Sequence, residues 1–185
     1  MRVSNLMTRS VHACTSVDTL NRAAQLLWEH DIGCVPVVDG ERRVIGIVTD
    51  RDIAMAAYTQ GRGLAELTVA ACMSRQVQSV RADDAIQVAA GKMREHRVRR
   101  LAVVDERGRL VGMLSISDLS QRLWPRGTAS GFDDDELLSV IAAVSQPRRA
   151  RDVDAVAPAL AKPKPGDVSV SVRPMKKPGA PKTSK

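Results

Sequence analysis

The 185 residues are 44% apolar and carry a formal charge of +7, which is enough apolar material for one folded core with some chain to spare. The longest apolar runs, CVPVV and SVIAAV, fall far short of the roughly 18 residues of a membrane span. No apolar stretch follows the N-terminal Met-Arg, so a cytoplasmic protein with no anchor or export signal is expected.

The chain opens on an internal repeat. Sliding it by 66 residues aligns Met7–Ile53 with Met73–Leu119 without a gap and gives 14 identities in 47 positions, where chance gives roughly three. In each copy a short strand, VHAC at 11–14 or VQSV at 77–80, feeds a helix expected to be capped by Asp18 or Asp84. Leu20, Ala23, Ala24 and Leu27, matched by Ile86, Ala89, Ala90 and Met93, form the apolar stripe of that helix. Trp28 borders the stripe where the second copy has Arg94, and a large exposed ring there predicts a homodimer interface. His30 and His96 end the two helices, where the dipole favours a cation, and are read as structural.

Two β-branched runs follow in each copy, CVPVV with RVIGIVT and RLAVV with RLVGMLS. They are joined by Asp39-Gly40 and by the longer DERG, which are hairpin signals. Second helices are predicted over 50–58, ending before Gly61, and over 116–123, stopping at Pro125. The order per copy is β-α-β-β-α, an α+β fold. A copy of about 55 residues buries too little surface alone, so the two copies should pack sheet to sheet with approximate two-fold symmetry and two related clefts. The expected organisation is 1–66, 67–124, a linker with a short amphipathic helix at 125–146, and a tail at 147–185.

The chemistry concentrates where each second strand meets its helix, at G-I-V-T-D-R-D (46–52) and G-M-L-S-I-S-D (112–118). Thr49 or Ser115 offers a hydroxyl beside free helix amides, a favourable place for phosphate. Asp52 or Asp118 lies one turn further on, and its carboxylate can accept the cis hydroxyls of a ribose, at about 1.5–3 kcal/mol per charge-assisted bond. The same residues would serve as ordinary caps in a ligand-free protein, but their recurrence at one offset after a glycine favours a site. Asp50 and Asp52 flank Arg51, and Ile116 replaces Asp50 in the second copy, so no metal site is expected. Cys14, Cys34 and Cys72 have no metal-ligand spacing and read as buried free thiols. Without a phosphate loop or a nucleophile motif, no catalytic site is expected.

These two motifs resemble the cystathionine-beta-synthase-type (CBS) signature G-h-x-[TS]-x-x-D. MTRSV at 7–11, EHDIGCVPVVD at 29–39 and HRVRRLAVVD at 96–105 are similar to the openings and centres of small bacterial CBS-pair proteins. The resemblance covers about Val3 to Leu123. It implies a regulatory pair, or Bateman module, that binds AMP, ATP, NAD or S-adenosylmethionine between the copies. Thr49, Asp52, Ser115 and Asp118 would hold the ribose, and Arg51, Ser117, Arg99 and Arg100 the phosphates. Val11, Pro36, Ile47, Val77, Ala102 and Met113 would line the adenine pocket, a role that membership of the hydrophobic core does not exclude. Positions matching Arg99 and Arg100 reach phosphates in the regulatory subunit of AMP-activated kinase, although solvated surface arginines remain the plain alternative. Arg97, Arg99 and Arg100 replace Asp31, Gly33 and Cys34, so unequal clefts are expected. CBS pairs also commonly form disc-like dimers, in line with Trp28.

FDDDELLSVIAAV (132–144) has acids at a helix start and a stripe of Leu137, Leu138, Ile141 and Val144. It is expected to pack back on the repeats, or else to dock a partner enzyme. Residues 148–185 hold 10 Lys/Arg against 3 Asp/Glu, whereas residues 1–147 hold 18 of each, so the whole excess charge lies at the end of the chain. That proline-rich segment is expected to be disordered. It resembles the basic extensions of histone-H1-like bacterial proteins and suggests weak, salt-sensitive nucleic-acid contact, although a 2% aromatic content leaves few platforms for base stacking.

Overall fold

The second copy folds on the predicted β-α-β-β-α plan, and the first follows it without the opening strand. In the first, α1 (Leu20–Glu29) leads to the hairpin β1 (Cys34–Val38) and β2 (Val44–Thr49), then to α2 (Asp50–Gln60). In the second, β3 (Ser79–Arg81), α3 (Ile86–His96), β4 (Arg100–Val104), β5 (Leu110–Ser115) and α4 (Ile116–Leu123) follow in order, and α5 (Asp134–Ser145) comes last. This computed structural model describes residues 1–123 and 134–146, so the expected disordered tail and the part of the linker before residue 134 lie outside the described residues.

The hairpins repeat residue for residue. Pro36 pairs with Ile47 and Ala102 with Met113, and both ladders shift register at the same place, Val37/Val38 and Val103/Val104. Gly61 ends α2 in the left-handed conformation, φ 59°, which costs a glycine least.

The two hairpins meet edge to edge at their turns. Arg43 and Arg109, themselves 66 positions apart, form an antiparallel bridge. Beside it Leu110 N–H donates to Arg42 C=O at 2.9 Å and Val44 N–H to Gly108 C=O at 3.4 Å. Val38, Ala102 and Leu110 make a small core between the copies. The pseudo-two-fold axis therefore passes between the two arginines.

The copies are also interlocked through the segments that precede them. The turn at Val3–Asn5 docks under the second copy, where Val3 N–H donates to Asp84 C=O and Ile86 N–H to Met1 C=O, both at 3.0 Å. The turn at Val69–Ala71 docks under the first, where Val69 N–H donates to Asp18 C=O and Leu20 N–H to Leu67 C=O, both at 2.8 Å. Val3 and Val69 are fully buried, each in the core of the other copy. Gly112 and Gly46 make room for the exchange, since a Cβ on either would stand 2.7 Å from the sulfur of Met7 or Met73.

Four local expectations are corrected. Asp18 and Asp84 are not the helix caps. Thr19 caps α1 by accepting from Arg22 N–H, and α3 starts at Ala85 without a side-chain cap. The two aspartates instead tie the preceding turn, accepting from Thr15 N–H at 2.6 Å and Arg81 N–H at 2.8 Å.

The strand expected at 11–14 shrinks to a single bridge, Cys14 to Val37, whereas its counterpart is β3. The cause is Pro36. Ala102 N–H donates to Gln78 C=O at 3.2 Å in the second copy, and proline has no N–H to make the matching bond.

In α1 the third buried position is Leu26 rather than Leu27, whereas in α3 Ala90 and Met93 are fully buried. On α5 the buried stripe is Val140 and Val144 with Leu137 partly covered, and Leu138 and Ile141 face outward. The last two corrections share one reason. Helix α5 packs back on α3 and α4, closing over Ala90 and Met93, while the matching face of α1 has no such cover among the described residues.

Candidate ligand-binding cleft

A cavity of about 230 Å³ opens between the copies. One wall comes from the first copy, with Val11 and His12 on the entering segment, Asp31 to Cys34 after α1, and Pro36 on β1. The other comes from the second copy, with Arg100, Met113, Leu114, Ser115 and Asp118. Thr8 reaches it because its backbone bridges Met113 with two 2.9 Å hydrogen bonds.

The floor is the start of α4. Ser115 N–H and Oγ–H both donate to Asp118 Oδ2 at 2.7 Å, and Asp118 N–H donates back to Ser115 Oγ at 3.2 Å. At the start of α2 the same box recurs. Thr49 N–H and Oγ1–H donate to Asp52 Oδ2 at 2.9 and 2.7 Å, and Asp52 N–H donates to Thr49 Oγ1 at 3.3 Å. Both helices thus satisfy their first amides. The capping role occupies only Oδ2, and Oδ1 of each aspartate has no hydrogen bond among the described residues. A half-buried carboxylate is thus left with one oxygen that its capping role does not use.

Of the expected site residues, the structure brings Val11, Pro36, Arg100, Met113, Ser115 and Asp118 to this cavity. Ile47, Thr49, Asp52, Val77 and Ala102 lie around the symmetry-related place. There Ile47 bridges Ser74 as Thr8 bridges Met113. Ala102 is almost wholly buried in the small core between the copies and offers little open wall. Arg51, Arg99 and Ser117 are exposed and do not line the cavity. Arg100 lies against Gly33, its Nη2 2.7 Å from where a Cβ would stand, so only glycine admits the guanidinium in that pose.

Thr8, Ser10, His12 and Asp31 line the cavity unforeseen. The ring of His12 stacks on His30, with centroids 3.4 Å apart and planes 10° apart. His30, read as a helix end alone, therefore also backs a cavity residue. The signal for Thr8 to His12 was present in the repeat itself, since that segment precedes one copy and crosses to the other.

Burial pushes the Cys14 thiol up to about 11, helped by the Asp18 carboxylate. Burial does the same for Cys72, helped by Asp52. Cys34, on the cavity wall, is also raised by burial, against the opposing pull of Arg100. All three thiols therefore hold their protons at neutral pH, which removes the nucleophilic form. Among the described residues no group of three or more His, Cys, Asp or Glu could hold a metal ion, and no helix is long and apolar enough to cross a membrane.

Comparison with known proteins identifies the repeated unit. The family model for the CBS domain matches residues 3–58 and 69–124. The CBS domain-containing protein YhcV of Bacillus subtilis is 35% identical over 119 residues, which cover 64% of this chain and 82% of YhcV. The homoserine O-acetyltransferase of Methanocorpusculum labreanum is 33% identical over 120 residues, 65% of this chain, but the chain spans only 24% of that enzyme. Among solved structures, the CBS domain pair of protein MJ0100 in complex with 5′-methylthioadenosine and S-adenosyl-L-methionine superposes with a TM-score of 0.62 at 26% identity, covering 69% of this chain and 98% of that one. CBSX2 in complex with AMP gives a TM-score of 0.58 at 26% identity, covering 65% and 94%.

Proposed function

Because the chain belongs to the CBS domain family, with two copies in tandem, we propose that it is a regulatory module that senses an adenosine-containing ligand in the clefts between its copies and catalyses no reaction. The observation that carries this reading is the paired box, Thr49/Asp52 and Ser115/Asp118, with one carboxylate oxygen left open in each copy. Each Oδ1 would accept ribose hydroxyls, whereas the first α4 amides are already engaged, Ile116 N–H by Arg99 C=O at 3.0 Å and Asp118 N–H by Ser115 Oγ at 3.2 Å, so a phosphate would be met by side chains. Val11, Pro36 and Met113 would sandwich the base in the cavity, as Val77, Ala102 and Ile47 would at the related place. AMP, ATP and NAD all present that adenosine. The structures of MJ0100 and CBSX2 with adenosine ligands support the choice of ligand class. The matched part of the acetyltransferase is a quarter of that enzyme, so its activity is not transferred. Arg100 is the cation on the cavity wall, where it would balance a carboxylate, and Arg51, Arg99 and Ser117 would meet phosphates at the cleft mouths.

The module is also proposed to be a homodimer, in a cytoplasmic setting, because Trp28 is 88% exposed on α1 with Met55 and Tyr58 exposed on the neighbouring α2. Isolated apolar residues on a surface are ordinary, but three large ones on one pair of helices suit an interface. A partner enzyme is the natural target of such a module, and the tail remains available for weak nucleic-acid contact. Native mass spectrometry of freshly purified protein tests the reading. It predicts a dimer mass carrying retained adenosine ligand, or a mass shift on adding AMP, ATP or NAD. A protein that takes up none of them at millimolar concentration refutes it.

A further inference from the structure

The 66-residue repeat allows the charge of the two clefts to be compared position by position. Around the cavity stand the carboxylates of Asp31 and Asp118 and the guanidinium of Arg100. At the symmetry-related place Arg97 stands for Asp31, Arg99 for Gly33, Asp52 for Asp118, Arg100 for Cys34 and Cys34 for Arg100. The equivalence extends to the backbone. Asp31 and Arg97 are both left-handed, with φ 49° and 51°, so their side chains leave the chain in the same direction after equivalent helices. The bridges Thr8 to Met113 and Ile47 to Ser74 are sisters, and the two aspartate boxes agree in every bond. By this equivalence the cavity carries a carboxylate at the position where the related place carries a cation. The latter adds a second cation one strand-entry later.

The difference acts on a ligand's 5′ end. A carboxylate facing a polyphosphate repels it, and apolar walls such as Val11, Pro36 and Met113 reduce the screening that water would supply. Arg100, held against Gly33, offsets only one of the two carboxylates in the cavity. At the related place Arg97 and Arg99 outnumber Asp52.

We propose that the two clefts take different classes of adenosine ligand. The cleft of Asp31, Arg100 and Asp118 takes a nucleoside whose 5′ substituent is uncharged or cationic. The cleft of Arg97, Arg99 and Asp52 takes a nucleoside polyphosphate. The inference rests on the adenosine-binding reading above and divides the ligands within it.

Titration calorimetry of the full chain with ATP and with 5′-methylthioadenosine tests the division. Asp118→Asn should weaken 5′-methylthioadenosine at least tenfold and leave ATP within twofold, and Asp52→Asn should do the reverse. Asp31→Arg and Arg97→Asp exchange residues that the sister copy already holds at the same φ on an exposed turn, so the fold tolerates both. Asp31→Arg should raise ATP stoichiometry from one to two, and Arg97→Asp should weaken ATP at least tenfold with 5′-methylthioadenosine unchanged. If both ligands are lost together in one aspartate variant, or if wild type binds two ATP with equal affinity, the division is overturned while adenosine binding stands. Heat from neither ligand overturns both.

Discussion

The two repeats share a backbone plan and differ in what surrounds it. In the second, α5 lies over α3 and α4, Val140 and Val144 join the core, and Arg94 on α3 donates to Ser139 on α5 at 3.3 Å. In the first, the matching helical face has no such cover among the described residues and holds Trp28 where the second copy has Arg94. One sequence plan thus serves both as a closed face with a polar clasp and as an open one with an aromatic ring. Burial follows from neighbours, and the helix stripe alone does not set it.

Truncation after residue 133, removing α5, should make the largest difference. It strips Val140, fully buried, and Val144, mostly buried, from the core, each worth about 1.5–3 kcal/mol, and should lower urea stability by about 3 kcal/mol or more while leaving the first repeat's helices intact. An unchanged unfolding midpoint would mean that α5 adds nothing to the second copy. Next in size, Trp28→Arg gives the first repeat the residue of the second. Losing one buried indole, about 2–3 kcal/mol, should shift sedimentation at tens of micromolar from dimer to monomer without loss of helical circular dichroism. A wild type that is already monomeric would exclude the interface.

Gly46→Ala and Gly112→Ala probe the symmetric interlock, where a methyl would press on Met73 or Met7. Overpacking typically costs about 1–3 kcal/mol, and the two losses in thermal unfolding should be equal within error. A loss in one copy alone would show that the crossing segments are not equivalent.

The smallest effect is chemical. Cys14 packs in the first repeat's core and Cys72, partly buried, against it, and burial holds both thiols near 11. The folded state keeps their protons to higher pH than an unfolded chain, so it is favoured below the ordinary thiol range and loses stability as pH climbs through 9 toward 11. Alkylation at pH 7 should be slow and should report opening of the first repeat only. Rapid labelling of the folded protein would contradict that burial.

The hairpins, the second helices and both aspartate boxes were legible in the sequence because each is written within a few residues: alternation, a turn dipeptide, a hydroxyl three positions before an aspartate. What was not legible depends on residues far apart. Val3 and Val69 complete each other's cores across the repeat, a long-range exchange that local periodicity does not encode. Asp18 and Asp84 looked like caps because an aspartate before a helix satisfies several turns equally, and the helices begin one residue later, at the caps Thr19 and Ala85. Pro36 could have been foreseen as a strand breaker, yet its effect falls on its neighbour at 11–14, whose own residues favour a strand. On α5, Val140 replaces Leu138 and Ile141 at the contact because α3 sets which face is covered.

The central claim is that the open oxygen of the Ser115/Asp118 box holds a ligand, and Asp118→Asn tests it most directly. Asparagine can still accept from Ser115 N–H, so the unliganded protein should unfold within about 0.5 kcal/mol of wild type. It loses the charge, so calorimetry with 5′-methylthioadenosine should give an affinity at least tenfold lower, about 1.4 kcal/mol. An affinity equal to wild type would reduce the box to a helix cap and contradict the account.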